Sequence, residues 1–392
     1  MHPPGADTVL VRHGDLNVNS TGVKRYMEGL LVSQLEALLA DRSIPGDVVR
    51  KWNRPRIETT ESAVDDALAA ATDAFGVVSA SACVQIEPAY ETILETLART
   101  GKACYTGGSF AVDARRADKD RPFTSEDLAR EGGQVIWDAV ADSFEPTVDL
   151  DDPDVTVGVE VREERAFVYV ETVAGPGGLP LGSQAPMIAL VSGGIDSPVA
   201  AYKTMCRGSP IRPVYVDLGD FGGPDHEARA METVRTLTRY APAEDLTVYC
   251  VPGGETMALL AETMETGRML SVRRFLYRVA HHLADRAGAA GIVTGEALGQ
   301  KSSQTAQNLH VTSRATDYPI HRPLLTMDKQ EIVAIAREIG TFQESLIPAG
   351  CNRIAPDRVE TNGRLEQLLE IEPPDLFERA ERAADEATLI EL

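Results

Sequence analysis

Residues 8–12 (Thr-Val-Leu-Val-Arg) place a short apolar run between polar ends and read as a strand. Over residues 21–41 the pattern changes. Tyr26, Leu30, Leu31, Leu35 and Leu38 return to one face, which predicts an amphipathic helix. A further strand–helix pair ends near Phe75-Gly76-Val77-Val78, and the early part of the chain, up to residue 62, reads as a small α+β module. Residues 88–104 and 125–143 read as two more helices, with strand-like stretches at 109–114, 155–161 and 166–172.

Ala174-Gly-Pro-Gly-Gly-Leu-Pro-Leu-Gly182 is the richest glycine and proline segment of the chain and marks a linker over residues 174–182. Beyond it strands and helices take turns. Strands are expected at 187–191, 211–217, 246–251 and 291–294, and helices at 198–206, 225–240, 254–265 and 271–287. That alternation predicts a doubly wound parallel sheet over residues 183–392, an α/β fold. From Asp357 the chain is strongly acidic and ends in a helix-like run.

A length of 392 residues exceeds one ordinary core and predicts two or three domains. No apolar run approaches the roughly 20 residues of a bilayer span. Met1-His2-Pro3-Pro4-Gly5-Ala6-Asp7 has neither the basic nor the apolar region of a signal peptide, so a cytoplasmic protein is expected, with no membrane partner. The net charge is −22, from 60 Asp and Glu against 38 Lys and Arg, of which seven are lysine. An acid-rich, lysine-poor surface stays hydrated in concentrated salt, which points to a halophilic source. It gives no general electrostatic footprint for nucleic acid. Two local stretches run against that balance: Arg50, Lys51, Arg54 and Arg56 around Trp52, and Arg268, Arg273, Arg274 and Arg278. Such stretches either grip phosphates and stack on bases, or pair internally in so acidic a chain.

The five cysteines, at 83, 104, 206, 250 and 351, form no short-spaced pair, which argues against a disulfide framework or a zinc site. Cys351 lies in Ile347-Pro348-Ala349-Gly350-Cys351-Asn352 with Arg353 beside it, a more reactive setting than the apolar strand of Cys250 or the helix end of Cys206. His281 and His282 are adjacent on a helix and point about 100° apart, so they do not share a metal. Leu10-Val11-Arg12-His13-Gly14-Asp15 carries the RHG string of histidine phosphatases, but no histidine lies between His13 and His226 and the constellation is incomplete.

The sharpest signal follows the strand at 187–191. Ser192-Gly193-Gly194-Ile195-Asp196-Ser197 turns directly into a helix with Pro198 in its first turn. Two glycines allow a tight turn and close approach of a ligand. Ser197 or Asp196 is expected to cap the helix, and proline tolerates the first turn because its missing N–H has no partner there. The N–H groups of that turn then face an anion such as a phosphate chain. A Walker-type loop would need a lysine followed by Ser or Thr, and none is present.

This string resembles the SGGxDS motif of PP-loop ATP pyrophosphatases. Thr294-Gly-Glu-Ala-Leu-Gly-Gln-Lys-Ser-Ser-Gln-Thr305 resembles the GEALGQxSSQT segment of the tRNA 4-thiouridine synthetase (ThiI) family, as do Arg322-Pro-Leu-Leu325 followed by Asp328-Lys329-Gln330-Glu331-Ile332, and Ile339-Gly340-Thr341. Phe110–Lys119 followed by Pro122–Glu126 is similar to that family's THUMP RNA-binding domain, and Val11–Asp15 to its ferredoxin-like domain. The resemblance implies a ferredoxin-like domain over 1–62, a THUMP domain over 63–173, and a PP-loop domain over 183–392. It implies ATP and Mg2+ as cofactors and tRNA as partner. Nucleotide contacts map by position onto Leu190, Val191, Tyr215, Val216, Arg273, Gly295 and Gln304, beside the loop residues Ser192, Gly193, Gly194 and Ser197. Asp196 would hold magnesium or orient the triphosphate, and Cys351 matches the catalytic cysteine. Arg50, Lys51, Arg54, Arg56, Arg115, Arg116 and Lys119 are the candidate RNA contacts. No segment of this sequence is identified with the rhodanese-like domain that many bacterial members append, so the sulfur donor, a persulfide protein or sulfide, is open. A ThiS-like carrier protein and a homodimer are open as further partners. The alternatives are thiolation of another tRNA base and a non-catalytic RNA-binding protein.

Overall fold

The computed structural model describes residues 1–14, 20–51, 54–117, 121–222, 224–343, 354–356 and 358–392, the side chains of residues 51, 54 and 224 excepted. The chain divides into two compact units, Met1–Pro180 and Leu181–Leu392.

In the first unit β1 (Thr8–His13), α1 (Thr21–Asp41), β2 (Asp47–Lys51), β3 (Arg54–Glu58), α2 (Val64–Asp73) and β4 (Val77–Ile86) come first. After them come α3 (Tyr90–Cys104), β5 (Ser109–Arg116), α4 (Ser125–Val140), β6 (Thr147–Val148), β7 (Val155–Val161), β8 (Ala166–Tyr169) and β9 (Val173–Ala174). All the strands join one sheet in the order β2-β3-β1-β4-β8-β7-β5-β6, with β9 also on β4. Period-two alternation puts Val9 and Val11 of β1, Ile57 of β3, and Ala80 and Ala82 of β4 into one core with Leu31, Leu35 and Leu38 of α1 and Val64, Ala67 and Ala71 of α2. The boundary expected after residue 62 cuts through this core, because α2 and β4 close it over β1. Tyr26, expected on the buried face of α1, is 57% exposed; the stripe runs through Met27 and Leu39 instead.

A second core joins Val84, Val112, Val157, Val159 and Val168 of the sheet to Ile93 and Leu97 of α3 and to Leu128 and Ile136 of α4. A reciprocal cap starts α4: Thr124 Oγ1 accepts from the Asp127 N–H at 3.0 Å, and Asp127 Oδ2 accepts from the Thr124 N–H at 2.9 Å.

The second unit is the expected doubly wound α/β fold. It runs β10 (Met187–Val191), α5 (Asp196–Met205), β11 (Ile211–Asp217), α6 (Pro224–Thr238), β12 (Val248–Pro252), α7 (Gly254–Thr263) and α8 (Arg268–Ala287). Then follow β13 (Ile292–Val293), α9 (Ala306–Ser313), β14 (Ile320–His321), α10 (Lys329–Glu338), α11 (Leu365–Ile371), α12 (Leu376–Asp385) and β15 (Thr388–Ile390). The sheet order is β14-β13-β10-β11-β12-β15, parallel except for β15, which pairs antiparallel with β12. Left-handed glycines bound α8 on both sides, Gly267 at φ 68° and Gly288 at φ 62°, where a side chain would be strained. The helix buries Leu270, Phe275, Tyr277, Val279 and Leu283 against the sheet. Its outer face meets α12, where the Arg274 and Arg278 guanidiniums lie 5.0 and 5.3 Å from the Phe377 ring. Among the described residues no helix is long and apolar enough to cross a membrane.

One packing constraint in the first unit is readily tested. Gly158 of β7 pairs with Tyr169 of β8, and a Cβ at residue 158 would stand 2.2 Å from the tyrosine ring. Gly158→Ala therefore displaces a buried aromatic, and the expected loss is about 1–3 kcal/mol of stability. A denaturant midpoint for the variant equal to that of the unaltered chain would show that the ring moves aside without cost.

Candidate functional site

Residues Ser192–Ile195 leave the carboxyl end of β10 and enter α5 in a turn held by its own hydroxyls. Ser197 Oγ accepts from the Ser192 N–H at 2.9 Å, lies 3.1 Å from Ser192 Oγ, and donates to the Ser192 carbonyl at 3.2 Å. The helix starts two residues earlier than expected, at Asp196. Its N-cap is Ile195, and no side chain caps it. Neither Ser197 nor Asp196 has the expected capping role, because Ser197 is spent on closing the loop. The first-turn N–H groups are thereby left for a ligand rather than for a cap.

These residues line a cavity of about 230 Å³ at the carboxyl ends of β10, β11 and β13. The sheet order reverses direction there, with β11 on one side of β10 and β13 on the other. Of the expected nucleotide contacts, Leu190, Val191, Ser192, Gly194, Asp196, Ser197, Val216, Arg273, Gly295 and Gln304 all line it. Val214, Leu218 and Leu276 add apolar wall suited to a flat heterocycle, while Thr294, Tyr277, Glu296 and His226 add polar groups.

Two expected residues lie behind the wall. Tyr215 is 1% exposed, and its hydroxyl stands 3.2 Å from His226 Nδ1. Burial, and after it the Arg229 cation, hold the His226 imidazole below its usual range, so it is neutral near pH 7. A Cβ at Gly193 would meet Arg229 Cβ at 3.0 Å and the His226 carbonyl at 3.2 Å, so this glycine lets α6 lie against the loop.

Arg273 is not the exposed helix cation that the sequence also allows. It binds Glu296 through Nη1 and donates from Nε to Ser303 Oγ at 3.2 Å. With the Gln304 amide oriented to satisfy both its ends, Gln304 accepts from Arg273 Nη2 at 3.0 Å and donates to the Ala297 carbonyl at 2.7 Å. Asp196, at the mouth of the cavity, receives Lys329 Nζ at 2.6 Å from the start of α10.

The candidate RNA cations are engaged with neighbours. Arg50 pairs with Glu28 at 2.8 Å, Arg56 with Glu58 at 2.6 Å and Arg115 with Asp113 at 2.9 Å. Arg116 donates to the carbonyls of Arg121 and Phe123. Of the stretch 268–278, Arg273 faces the cavity, while the other three arginines form an internal network: Arg274 pairs with buried Glu372, Arg278 pairs with Glu381, and Arg268 donates to the carbonyls of Ala261, Met264 and Ile354. Lys119, Trp52, Cys351 and the side chains of residues 51 and 54 lie outside the described residues.

His281 and His282 go to separate partners, Thr316 at 2.9 Å and Asp385 at 2.8 Å. Cys83, Cys104, Cys206 and Cys250 are all shifted away from the thiolate, first by burial; Cys206 is pushed up to about 12 and Cys250 to about 11. These thiols are poor nucleophiles near neutral pH.

A glycine-rich strand–helix turn opening on a partly apolar cavity at a sheet's switch point defines a nucleotide-binding α/β protein. Residues 182–374 match the family model for the thiamine biosynthesis protein ThiI, 86–171 the THUMP domain and 8–81 the ThiI ferredoxin-like domain. The chain is 53% identical, over all of its length and 99% of the relative, to a probable tRNA sulfurtransferase of Halobacterium salinarum. It is 40% identical to one of Methanosarcina acetivorans, over 93% of this chain and 88% of that one. Its fold matches a crystal structure of a 4-thiouridine synthetase–RNA complex with bound ATP, with a TM-score of 0.86 and 26% identity over 98% of this chain and 99% of that one. The chain belongs to the ThiI family of tRNA sulfurtransferases.

Sequence reasoning quoted Glu296 and Lys329 inside family-like segments without giving either a task, and it missed Tyr277 and His226. Nothing in their local spacing distinguishes them; only the fold brings them to one cavity. Gly295 carries the clearest steric requirement of the site. A Cβ there would lie 2.7 Å from both Asp196 C and Ser197 N, inside the loop's backbone. Gly295→Ala is therefore expected to weaken ATP binding about tenfold or more, since overpacking of 1–3 kcal/mol falls directly on the loop. Titration with ATP checks this, and unchanged affinity would mean that the loop tolerates the shift.

Proposed function

We propose that this chain is an ATP-dependent tRNA sulfurtransferase that acts on uridine at position 8 of tRNA and gives 4-thiouridine. The observation that carries the reading is the Ser192–Ser197 turn, whose uncapped helix start lines the cavity in a chain so similar to tRNA sulfurtransferases along its whole length. The uridine C4 oxygen attacks the α-phosphorus of ATP, and pyrophosphate leaves. A sulfur nucleophile then adds at C4, and the former oxygen departs with AMP.

Leu190, Val216 and Leu218 supply the apolar slot for adenine. The first-turn N–H groups of α5, with the hydroxyl of Ser192, receive phosphate oxygens and stabilise the charge that builds on them. Arg273 and Gln304 face the nucleotide from the opposite wall. Magnesium, when bound with ATP, would neutralise phosphate charge. Asp196 fits it as a hard oxygen ligand, since its carboxylate already holds a cation, Lys329, at the cavity mouth.

Cys351 either carries the sulfur as a persulfide, whose S–S bond an external thiol cuts after addition at C4 by forming a disulfide with Cys351, or attacks the adenylated base before sulfide displaces it. The donor is a persulfide protein or sulfide, with a ThiS-like carrier as a second acceptor in thiazole synthesis. The domain roles follow the family order: ferredoxin-like and THUMP segments for tRNA, and the second unit for adenylation, in a cytoplasm of high salt.

Two measurements test this reading. Because no sulfur enters the phosphate-transfer step, Cys351→Ser is expected to retain tRNA-dependent pyrophosphate release yet to form no 4-thiouridine. Cys206→Ser and Cys250→Ser are expected to keep both. Nucleoside analysis of the treated tRNA reads the outcome; thiolation of a different base, or no pyrophosphate release by the unaltered chain, would overturn the assignment.

The second concerns salt. Residues 1–180 hold 17 Lys and Arg against 31 Asp and Glu, and Arg50, Arg56 and Arg115 already sit on carboxylates. Counterion release then contributes little to tRNA affinity. Its logarithm should fall against log salt with a slope shallower than about −2, where six to ten free phosphate contacts would give roughly −5 to −9. Fluorescence anisotropy over the salt range in which circular dichroism shows a folded chain measures the slope, and a steep one would mean that the ion pairs open onto phosphate.

A further inference from the structure

A carboxylate in the wall of a triphosphate cavity needs an explanation, because an uncompensated negative charge there repels the ligand. Glu296 is such a group: it is 1% exposed, it lies three residues past the end of β13, and it lines the cavity. Three donors converge on it. Arg273 Nη1 binds Oε1, while Arg322 Nε at 2.6 Å and the Tyr277 hydroxyl at 2.5 Å bind Oε2. Burial, and then Glu296 itself, push the Tyr277 phenol up, so it stays protonated and donates. The cluster therefore holds two guanidiniums against one carboxylate, and its net charge favours an anion.

Its geometry is equally directed. Arg273 and Tyr277 are one helical turn apart on α8, so they reach the same carboxylate from one face. Arg322, after β14, closes the other side and is itself tied to Ser313 Oγ at 2.9 Å. A guanidinium has five N–H groups, and Glu296, Ser303 and Gln304 use three of those on Arg273 in the arrangement described. A long, rotamer-rich side chain is thus fixed before any ligand arrives, which removes the entropy of ordering it on binding.

We infer that Glu296 is a positioning residue that aims the Arg273 guanidinium at the phosphates of the bound nucleotide, with Arg322 and Tyr277 holding the carboxylate in place. This deepens the nucleotide reading and rests on it; it does not depend on what the adenylate is passed to. Glu296 touches no reacting atom, and its effect passes through Arg273.

The test is a double-mutant cycle on nucleotide affinity with the full chain, using ATP and, as an uncharged control, adenosine. Arg273→Gln and Glu296→Gln are each expected to weaken ATP binding about tenfold, with the double variant no weaker than either alone, because each removes the same aimed contact. Adenosine affinity should stay within about twofold throughout, since it offers no phosphate to Arg273. Additive losses, approaching a hundredfold in the double variant, would mean that Glu296 acts independently of Arg273 and would overturn the inference. Equal weakening of adenosine and ATP would overturn it too, by showing that the carboxylate only holds the wall together.

Where Glu296→Gln fails to fold, Glu296→Asp keeps the buried charge and withdraws it by one methylene. The same ATP-selective loss, absent from an Arg273→Gln background, is then expected. No tRNA enters the measurement. A failed cycle leaves the sulfurtransferase assignment standing, and a chain inactive on tRNA leaves the cycle readable.

Discussion

The nucleotide cavity depends on one close approach of two backbones. Gly295, just past β13, lies against Asp196 and Ser197 with no room for even a methyl group. That contact sets how far β13 and the start of α5 stand apart, and so fixes where the uncapped N–H groups point. Everything else in the site is referred to it. Glu296 is the next residue in the chain, and the apolar strand ends that wall the cavity are in register with β10, whose exit the loop continues. A loop shaped only by its own hydroxyl bonds would fix its internal form but not its distance from the opposite wall.

Much of this arrangement was legible in the sequence. Strands and helices of the second unit repeat with the spacing of a doubly wound sheet, which alone puts the Ser192–Ser197 string at a carboxyl edge. The cavity-lining members of the site come mostly from positions that the family resemblance implied. What escaped was tertiary. Ser197 looks like a helix cap because serine commonly is one, but its hydroxyl is closer to the Ser192 backbone than to any first-turn N–H it would serve. Tyr215 alternates to the face of β11 that packs on α6, one residue out of step with Val214 and Val216, which line the cavity. The first unit was harder to divide, because α2 and β4 complete the core of β1 across a stretch that carries no glycine or proline signal.

Charge patterning alone left two outcomes open, phosphate gripping or internal pairing. In a chain with far more acid than base, a run of arginines has ready partners, and each of the four in residues 268–278 holds a carboxylate or a carbonyl within its own unit. The acidic surface and the internal arginine pairs are therefore two sides of one composition. Pairs taken out of solvent are screened less by salt than surface pairs are, so they go on specifying geometry where a surface ion pair would not. Arg274 with Glu372, both buried, ties α8 to the segment before α12 in this way.

The antiparallel strand Thr388–Ile390 has a consequence for how the molecule comes into being. It pairs with Val248–Pro252 across a long stretch of intervening chain, so during synthesis the outer edge of that inner strand emerges well before its cover. Until the last strand arrives, a row of unpaired backbone groups is presented to any other nascent chain, the geometry from which edge-to-edge aggregation starts. The chain made ahead of it already carries more acid than base, and like charges on neighbouring copies would hold such edges apart in the interval. The acidity that keeps the finished protein hydrated would then also chaperone its own assembly.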